Sequence, residues 1–208
     1  QSDGERDLGV IISSSGKPSE QCLAAAKKAN RMLGLIKRNF KSRSKDVVVR
    51  LYKTLVRPRL EYCVQSWCPY LQKDIAVLEK VQRRATKMIL ACRTDSYEDR
   101  LKYTELTSLE CRRRRGDMIE VFKLLNGVEQ IDYNILIQRA EKTGRRGHSY
   151  KLVKHRARLD LRKFYFSNRV VNTWNSLPES VVVAGTVNSF KARLDAYIRA
   201  KGSGWFVR

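Results

Sequence analysis

Acidic residues are scarce in this chain of 208 residues. Asp and Glu number 21 against 43 Lys and Arg, which gives a formal net charge of +22 at pH 7. An excess of this size repels itself in the folded state unless a polyanion screens it. Because every phosphate that a cation contacts releases counterions, the composition favours nucleic acid as the partner over an anionic membrane surface or a merely basic, ribosomal-type protein.

The few carboxylates are also scattered along the chain, which argues against a polymerase or nuclease active site. Such chemistry needs clustered Asp or Glu residues that hold two metal ions, and the sequence has no adjacent pair of aspartates. A P-loop, a Gly-x-Gly-x-x-Gly loop and a Gly-x-Ser-x-Gly elbow are missing as well. We therefore expect no catalytic residues and no enzymatic activity in this chain alone.

Cysteine and histidine are too few and too widely spaced to predict a zinc site. The five cysteines form no Cys-x-x-Cys pair, and only His148 and His155 could complete a ligand set. We expect free thiols, several of them buried, in a reducing compartment, and no metal or other cofactor. The two histidines are predicted to be solvated or to face phosphates.

Long apolar runs are absent too. No stretch approaches the roughly 20 residues of a membrane-spanning helix, and no signal peptide stands at the start, so no membrane partner is expected. The first residue is Gln1 rather than Met, and we interpret the chain as part of a longer protein.

Hydrophobic periodicity predicts a mainly α-helical fold. Apolar residues between Cys22 and Phe40 recur at alternating steps of four and three, as on one helical face. Ser19 is the predicted N-cap of this helix. Further helices are predicted from Ser44, at 73–90, near 97–103, from Ser108 to 126, at 165–174, and from Thr186 or Asn188 to 199.

The exceptions to the helical pattern lie near the two ends of the chain. Residues 7–13 predict one strand of a hairpin whose partner precedes the chain, and Tyr150 to Leu161 suggests a loose second hairpin. A change to polar, basic composition near residue 128 predicts a boundary. The expected organisation is a hairpin remnant at 1–18, a helical bundle at 19–127 and a basic module of mixed structure at 128–208.

Cations cluster on the predicted helices in patterns that suit phosphate contact. Arg83, Arg84 and Lys87 share one helical surface, and four consecutive arginines wrap one full turn, so that at least one must point inward while the others offer guanidinium forks. The alternative is a solvated face of intrahelical ion pairs, which is disfavoured because only Glu79 and Glu110 flank these runs. The predicted nucleic-acid-binding residues are Arg83, Arg84, Lys87, Arg112, Arg113, Arg114, Arg115, Arg145, Arg146, Lys151 and Lys154.

The aromatic residues leave two interpretations open. Their spacing is typical of core packing, and a stacking platform for bases is the alternative. The residues concerned are Tyr62, Trp67, Tyr70, Trp174 and Phe190.

Taken in order, several segments resemble one family. They are DLGV at 7–10, LYK at 51–53, LVRPRLEY at 55–62, WCP at 67–69, LEKVQRRA at 78–85, LECRRRRGD at 109–117, FSNRVV at 166–171 and WNSLP at 174–178. Together they resemble the region that follows the catalytic palm in reverse transcriptases of jockey-like and chicken-repeat-like (LINE-type) non-LTR retrotransposons. The resemblance extends from about residue 5 to about residue 200.

This resemblance implies a role for each part of the chain. Leu8 and Gly9 would match the primer grip that closes the palm, residues 19–127 a helical thumb, and the remainder a segment that binds template RNA or target DNA. The parent RNA-directed DNA polymerase would carry an endonuclease, fingers and palm upstream. Its Mg²⁺ would be held by palm aspartates that this chain lacks, and its work on chromosomal DNA would place it in the nucleus as well as the cytoplasm.

Three hypotheses follow from the sequence. The chain is the non-catalytic, nucleic-acid-gripping end of such an enzyme, a host-retained RNA- or DNA-binding protein, or the inert remnant of a decayed element. Intact helical periodicity disfavours long neutral decay, because drift would place charges on the core faces.

Overall fold

The structure, a computed structural model, describes residues 4–89, 94–140 and 147–202 and is mainly helical. One small antiparallel hairpin precedes the helices, which confirms the predicted fold class. The helices up to the middle of the chain are α1 (Ser19–Asn39), α2 (Lys45–Leu51), α3 (Arg57–Glu61), α4 (Val64–Trp67), α5 (Gln72–Thr86), α6 (Tyr97–Thr104) and α7 (Leu109–Leu125). Those that follow are α8 (Asp160–Lys163), α9 (Phe166–Asn175), α10 (Glu179–Val182) and α11 (Val187–Lys201).

Two short irregular helices complete the pattern. A π-helical segment, Tyr52–Val56, joins α2 to α3, and a 3-10 turn, Tyr133–Ile135, follows α7. Pro58 lies in the first turn of α3, directly after the π-helical segment, and its missing N–H removes one bond from a helical run that is continuous from Lys45 to Glu61.

The N-terminal hairpin lies entirely within the chain, which corrects the prediction that its first strand is missing. β1 (Gly4–Asp7) pairs with β2 (Val10–Ser13) in antiparallel register. The predicted strand at 7–13 therefore spans a turn. Leu8 and Gly9 form that turn with φ values of 44° and 87°, the two positive angles that a two-residue turn needs to match the twist of its strands.

Two compact units divide the chain, at residues 1–113 and 114–208. The division falls inside α7 and differs from the predicted boundaries at 18/19 and 127/128. The hairpin is not separate, because Val10 of β2 is buried in the same core as α1. The later part of α7 belongs to the second unit, because Phe122 stacks on Phe190 of α11 with ring centroids 4.3 Å apart.

α1 and α5 form the centre of the first unit. Near the start of both helices, the Ser19 hydroxyl donates to Asp74 at 2.7 Å, and further along both, Arg84 donates to Asn30 at 3.1 Å. The two helices therefore lie side by side and run in the same direction. Ser19 is not the N-cap that was predicted, because that position is Pro18 and the Ser19 hydroxyl points to α5 instead. The buried faces comprise Cys22, Ala25, Ala26, Ala29, Leu33 and Ile36 of α1 and Leu78, Val81 and Ala85 of α5.

The second unit is built around Trp174. Its ring packs against Phe190, and its indole N–H donates to the Tyr150 carbonyl at 2.7 Å. The side-chain amide of Asn175 bonds both backbone groups of Leu152 at 2.9 Å, as a neighbouring strand would. Leu152 also forms a β-bridge with Arg139. The predicted pairing of 150–152 with 159–161 is therefore wrong, since the partner lies upstream and residues 160–163 are helical.

The cysteines of the described residues form no disulfide. Cys22 is fully buried, and this burial raises the pKa of its thiol to about 12, so it stays protonated. Cys63, Cys68 and Cys111 are likewise outside any disulfide, and Cys92 lies outside the described residues. In the part of the chain that the structure covers, no three His, Cys, Asp or Glu side chains gather as metal ligands would, and no helix has the length and apolar character to cross a membrane.

Candidate nucleic-acid interface

A groove runs between the outer edges of α1 and α5. It consists of two hollows of about 710 and 390 Å³ that share Asn30 and Arg84 in their walls. Its lining holds no carboxylate among the residues that the structure describes. Six cations line what we call the basic groove: Lys27, Lys37, Arg43, Lys80, Arg84 and Lys87.

Helical periodicity explains why these side chains converge. Ala26, Leu33, Arg43 and Met88 form part of the lining. The other lining residues lie at positions 23, 27, 30, 34 and 37 of α1, and at positions 77, 80 and 84 of α5 and 87 directly after it. Both sets advance by alternating steps of three and four, which keeps them on one helical stripe. Each stripe borders the buried face of its helix, because its positions follow or precede buried positions by one or two residues. Packing α1 against α5 therefore brings the two cationic stripes together.

Neighbouring groups hold two of the cations in place. Arg84 donates to the Asn30 side chain across the groove at 3.1 Å. Arg43 donates to the carbonyl of Lys37 at 2.7 Å and to that of Phe40, so it covers the carboxyl end of α1, where a positive charge is favourable. Between them, a Cβ on Gly34 would meet no atom within 4 Å, so the groove is open at this point.

Of the three cations predicted on α5, the structure places two in the groove. Arg84 and Lys87 line it, whereas Arg83 lies over the Tyr97 ring with 4.0 Å between the guanidinium carbon and the ring centroid. Four further cations of the groove were not among the predicted binding residues: Lys27, Lys37, Arg43 and Lys80. Lys27, Lys37 and Lys80 could have been found from the steps of three and four that place them on one side of their helices. The position of Arg43 could not, because it depends on the backbone after the end of α1.

Glu79, one of the two acids that flank the predicted cations in the sequence, points inward. Its carboxylate is buried and accepts hydrogen bonds from the Leu109 backbone N–H at 3.1 Å and from the Tyr97 hydroxyl. Burial is the main cause that raises the pKa of Glu79. The carboxylate thus holds the start of α7 against α5, and it leaves the cations of the basic groove without its compensating charge.

The four consecutive arginines are placed differently from the prediction. Arg112 forms a two-pronged ion pair with Glu61, with one bond of 3.0 Å, and Arg115 forms another with Asp195 at 2.6 and 2.9 Å. Arg113 is the inward-pointing residue, since it is only 4% exposed, and Arg114 is half-buried. The guanidinium groups of Arg112 and Arg115, which were expected to bind phosphate, thus bind carboxylates instead.

The partners of these arginines were not visible in the sequence for a simple reason. Glu61 lies 51 residues before Arg112, and Asp195 lies 80 residues after Arg115. Neither carboxylate flanks the arginine run in the sequence, so only the tertiary fold brings these opposite charges together.

The remaining predicted residues are dispersed. Lys154 is exposed and Lys151 is half-buried beside Gly147, while Arg145 and Arg146 lie outside the described residues. Leu8 and Gly9 form the tip of the hairpin, where Leu8 is 83% exposed. The structure therefore brings none of these four described residues into the basic groove.

His148 is structural, which corrects the expectation of a solvated or phosphate-facing side chain. It is 3% exposed, its Nδ1 accepts from the Tyr150 N–H at 3.2 Å, and its Nε2 lies 3.0 Å from the Trp174 carbonyl. Because Nδ1 accepts, Nε2 must carry the proton and donate. The ring is therefore a neutral link between residue 150 and the end of α9.

We expect acid to weaken the second unit through His148. Burial lowers the pKa of His148 below its ordinary value near 6.5, so the stabilisation is present above that value and is lost as the pH falls through the lowered pKa. Hydrogen exchange of α9 amides, compared between about pH 7.5 and about pH 5, should show a larger loss of protection in the wild type than in His148→Gln. Equal losses in both proteins would contradict this role.

The basic groove gathers six cations, none of which belongs to an ion pair among the described residues. Sequence-independent contact with a phosphate backbone is the chemistry that such a surface performs. No family model matches the chain, and no curated protein or solved structure matches it either.

Proposed function

We propose that the chain binds the sugar–phosphate backbone of duplex nucleic acid in the basic groove. The observation that carries this proposal is the pair of cationic stripes, which together with Arg43 present six cations and no carboxylate in the described lining. A surface of this kind neutralises phosphates and releases their counterions, whatever the base sequence. Carboxylates in the wall would cancel that gain.

The dimensions of the groove suit several phosphates of one strand. A rise of about 1.5 Å per residue places Lys27 and Lys37 about 15 Å apart along α1, and Lys80 and Lys87 about 10 Å apart along α5. One strand of a duplex carries a charge about every 3.4 Å of helix axis, so these spans cover about three to four phosphates. The apolar side chains of Leu23 and Val77, which lie in the same wall, suit contact with sugars.

We further propose that the chain is the thumb and post-thumb region of a non-LTR retrotransposon reverse transcriptase, and that the duplex is an RNA–DNA hybrid or target DNA. The order of the family-like segments supports this, and a helical bundle preceded by a hairpin agrees with it. Polymerisation, with its Mg²⁺, would belong to an upstream palm, and fingers and palm would be protein partners. The nucleus would be the site of action.

A salt titration of binding tests the proposed function. The full chain is titrated with a primed RNA–DNA hybrid, duplex DNA and single-stranded RNA at several salt concentrations. We expect tight binding to hybrid or duplex, with a slope of log affinity against log salt of about −0.9 for each neutralised phosphate. A slope near zero would refute phosphate binding, and equal weak binding to every polyanion would leave only the net charge as an explanation.

Arg84→Ala is expected to weaken hybrid binding about fivefold to tenfold near 0.1 M salt and to reduce the salt slope by about 1, equally for all sequences. Lys102→Ala is the matched control, because Lys102 is an exposed cation of α6 that pairs with Asp99 at 3.6 Å and does not line the groove. If both variants lost the same affinity, the groove would have no special role.

A further inference from the structure

A second cleft lies in the first unit, where the hairpin turn meets α1, the π-helical segment and α3. Its volume is about 360 Å³. Gly9 of the turn, Gln21 and Lys28 of α1, and Arg59 and Tyr62 at the end of α3 line it, and no carboxylate is among its described walls. We call it the hairpin cleft. It shares no residue with the basic groove.

Gln21 is the unusual residue of this cleft. Its side chain is more than nine-tenths buried, and its Oε1 accepts the Ile11 N–H of β2 at 3.0 Å. That bond fixes the orientation of the amide, so Nε2 carries two donor hydrogens on the other side. Among the described residues, none accepts a hydrogen bond from Nε2. Because Nε2 is not one of the buried side-chain atoms that lack a partner, solvent reaches it from the cleft, and it can donate to a ligand there.

Tyr62 presents an aromatic ring at the same place. The sequence favoured a core position, but the residue is 57% exposed. Its hydroxyl donates to the Leu8 carbonyl at 3.0 Å, and the ring lies 3.8 Å from where a Cβ on Gly9 would be. A Cβ would fit at that distance, so it is the positive φ of 87° that favours glycine at this position of the turn. The turn thus fixes the ring in position and leaves more than half of the residue open to a ligand.

We infer that the hairpin cleft binds one nucleotide, that is, a phosphate monoester joined to a planar base. Lys28 and Arg59 are the phosphate-binding cations. Arg59 uses its Nε to donate to the Leu55 carbonyl at 3.1 Å, and its terminal nitrogens have no partner in the described part of the chain. Guanidinium and ammonium donors bind phosphate oxygens, Gln21 donates to a further acceptor, and Tyr62 stacks on the base.

The size of the cleft selects this ligand over a duplex. Its volume lies at the lower end of the range of about 300 to 1,000 Å³ that small-ligand sites occupy. A single nucleotide fits such a space, whereas the open basic groove suits a continuous strand. The inference does not require the proposed function, because it depends on different residues.

Nuclear magnetic resonance of the full chain, titrated with adenosine monophosphate, tests the inference. The side-chain amide signal of Gln21 is expected to shift and saturate. Ribose 5-phosphate and inorganic phosphate are expected to bind at least about fivefold more weakly, because they lack the stacking base. Equal affinity for all three probes, or a Gln21 signal that does not move, would overturn the inference.

Four substitutions locate the site. Lys28→Ala and Arg59→Ala should each weaken binding of adenosine monophosphate about fivefold to tenfold, and Tyr62→Leu should remove the preference over ribose 5-phosphate. Lys53→Ala is the control, since Lys53 is an exposed cation near the cleft that does not line it. An unchanged Ile11 amide signal confirms that the hairpin is intact. If Lys53→Ala had the same effect as Lys28→Ala, bulk charge alone would explain the binding.

Two sources could supply the nucleotide, and a second titration separates them. Tighter binding of a short single-stranded oligonucleotide than of adenosine monophosphate, with the same Gln21 shift, would identify an unpaired strand end. Tighter binding of the monophosphate would identify a free nucleotide. Arg84→Ala should leave the affinity for adenosine monophosphate unchanged, so a failure of the hairpin cleft and a failure of the basic groove give different results.

Discussion

Replacing Lys80, Arg84 and Lys87 together by alanine is expected to weaken binding of an RNA–DNA hybrid by about 10²- to 10³-fold near 0.1 M salt. Each lost phosphate contact removes about 0.9 from the salt slope, so three contacts remove about 2.7, which corresponds to this loss between 1 M and 0.1 M salt. All three side chains are exposed, two on α5 and that of Lys87 directly after it. The fold should therefore survive, and the measurement is the affinity and its slope over a range of salt.

The control removes the same charge elsewhere. Lys53, Lys73 and Lys102 are also exposed cations of the first unit, and none lines the basic groove. Their triple alanine variant lowers the net charge equally, so it reports the effect of bulk electrostatics. Similar losses in the two triple variants would mean that net charge explains the binding and that the basic groove is not the binding site. A loss confined to one base sequence would indicate base recognition instead of phosphate contact.

The helices were predictable because their signals are local. The predicted helix from Ser108 to 126 is α7 (Leu109–Leu125), and the Ser108 hydroxyl accepts from the Cys111 N–H at 3.2 Å as an N-cap does. Thr186 caps α11 in the same way, by accepting from Ser189 at 3.1 Å. Apolar periodicity and capping residues are properties of one segment, and they need no knowledge of the rest of the fold.

The candidate site was only partly predictable, because charge was counted along the chain and not in space. Four consecutive arginines formed the most evident basic run, yet Glu61 and Asp195 bind two of them from 51 and 80 residues away. The basic groove instead combines cations from two helices that are far apart in sequence. Each stripe was visible on its helix, but only the packing of α1 beside α5 joins them.

Hairpins were the weakest part of the prediction for a related reason. A strand of four residues carries little periodicity, and its pairing depends on the turn. The turn at Leu8 requires a positive φ of 44° at a leucine, which has no preference for it. Local residue pattern alone therefore did not separate residues 4–7 from residues 10–13 as two strands.

Asp117→Ala is expected to destabilise the second unit by about 3–5 kcal/mol. Arg169 donates to both carboxylate oxygens of Asp117, from Nε at 3.0 Å and from Nη2 at 2.9 Å. The Asp117 side chain is 6% exposed and the Arg169 side chain is 13% exposed, so this is the most deeply buried ion pair among the described residues. Removing the carboxylate leaves the guanidinium buried without its counter-charge. Hydrogen exchange of α9 and α11 in the full chain measures the loss.

A double substitution separates the buried charge from the loss of packing. In Asp117→Leu with Arg169→Met, neither charge remains, and buried ion pairs replaced by apolar residues of similar size are often neutral or stabilising. We therefore expect the double variant to recover most of the lost protection. A double variant no more stable than Asp117→Ala would show that shape, and not the unpaired charge, causes the loss. Nucleic-acid affinity should stay unchanged if the protein remains folded, because the proposed groove belongs entirely to the first unit.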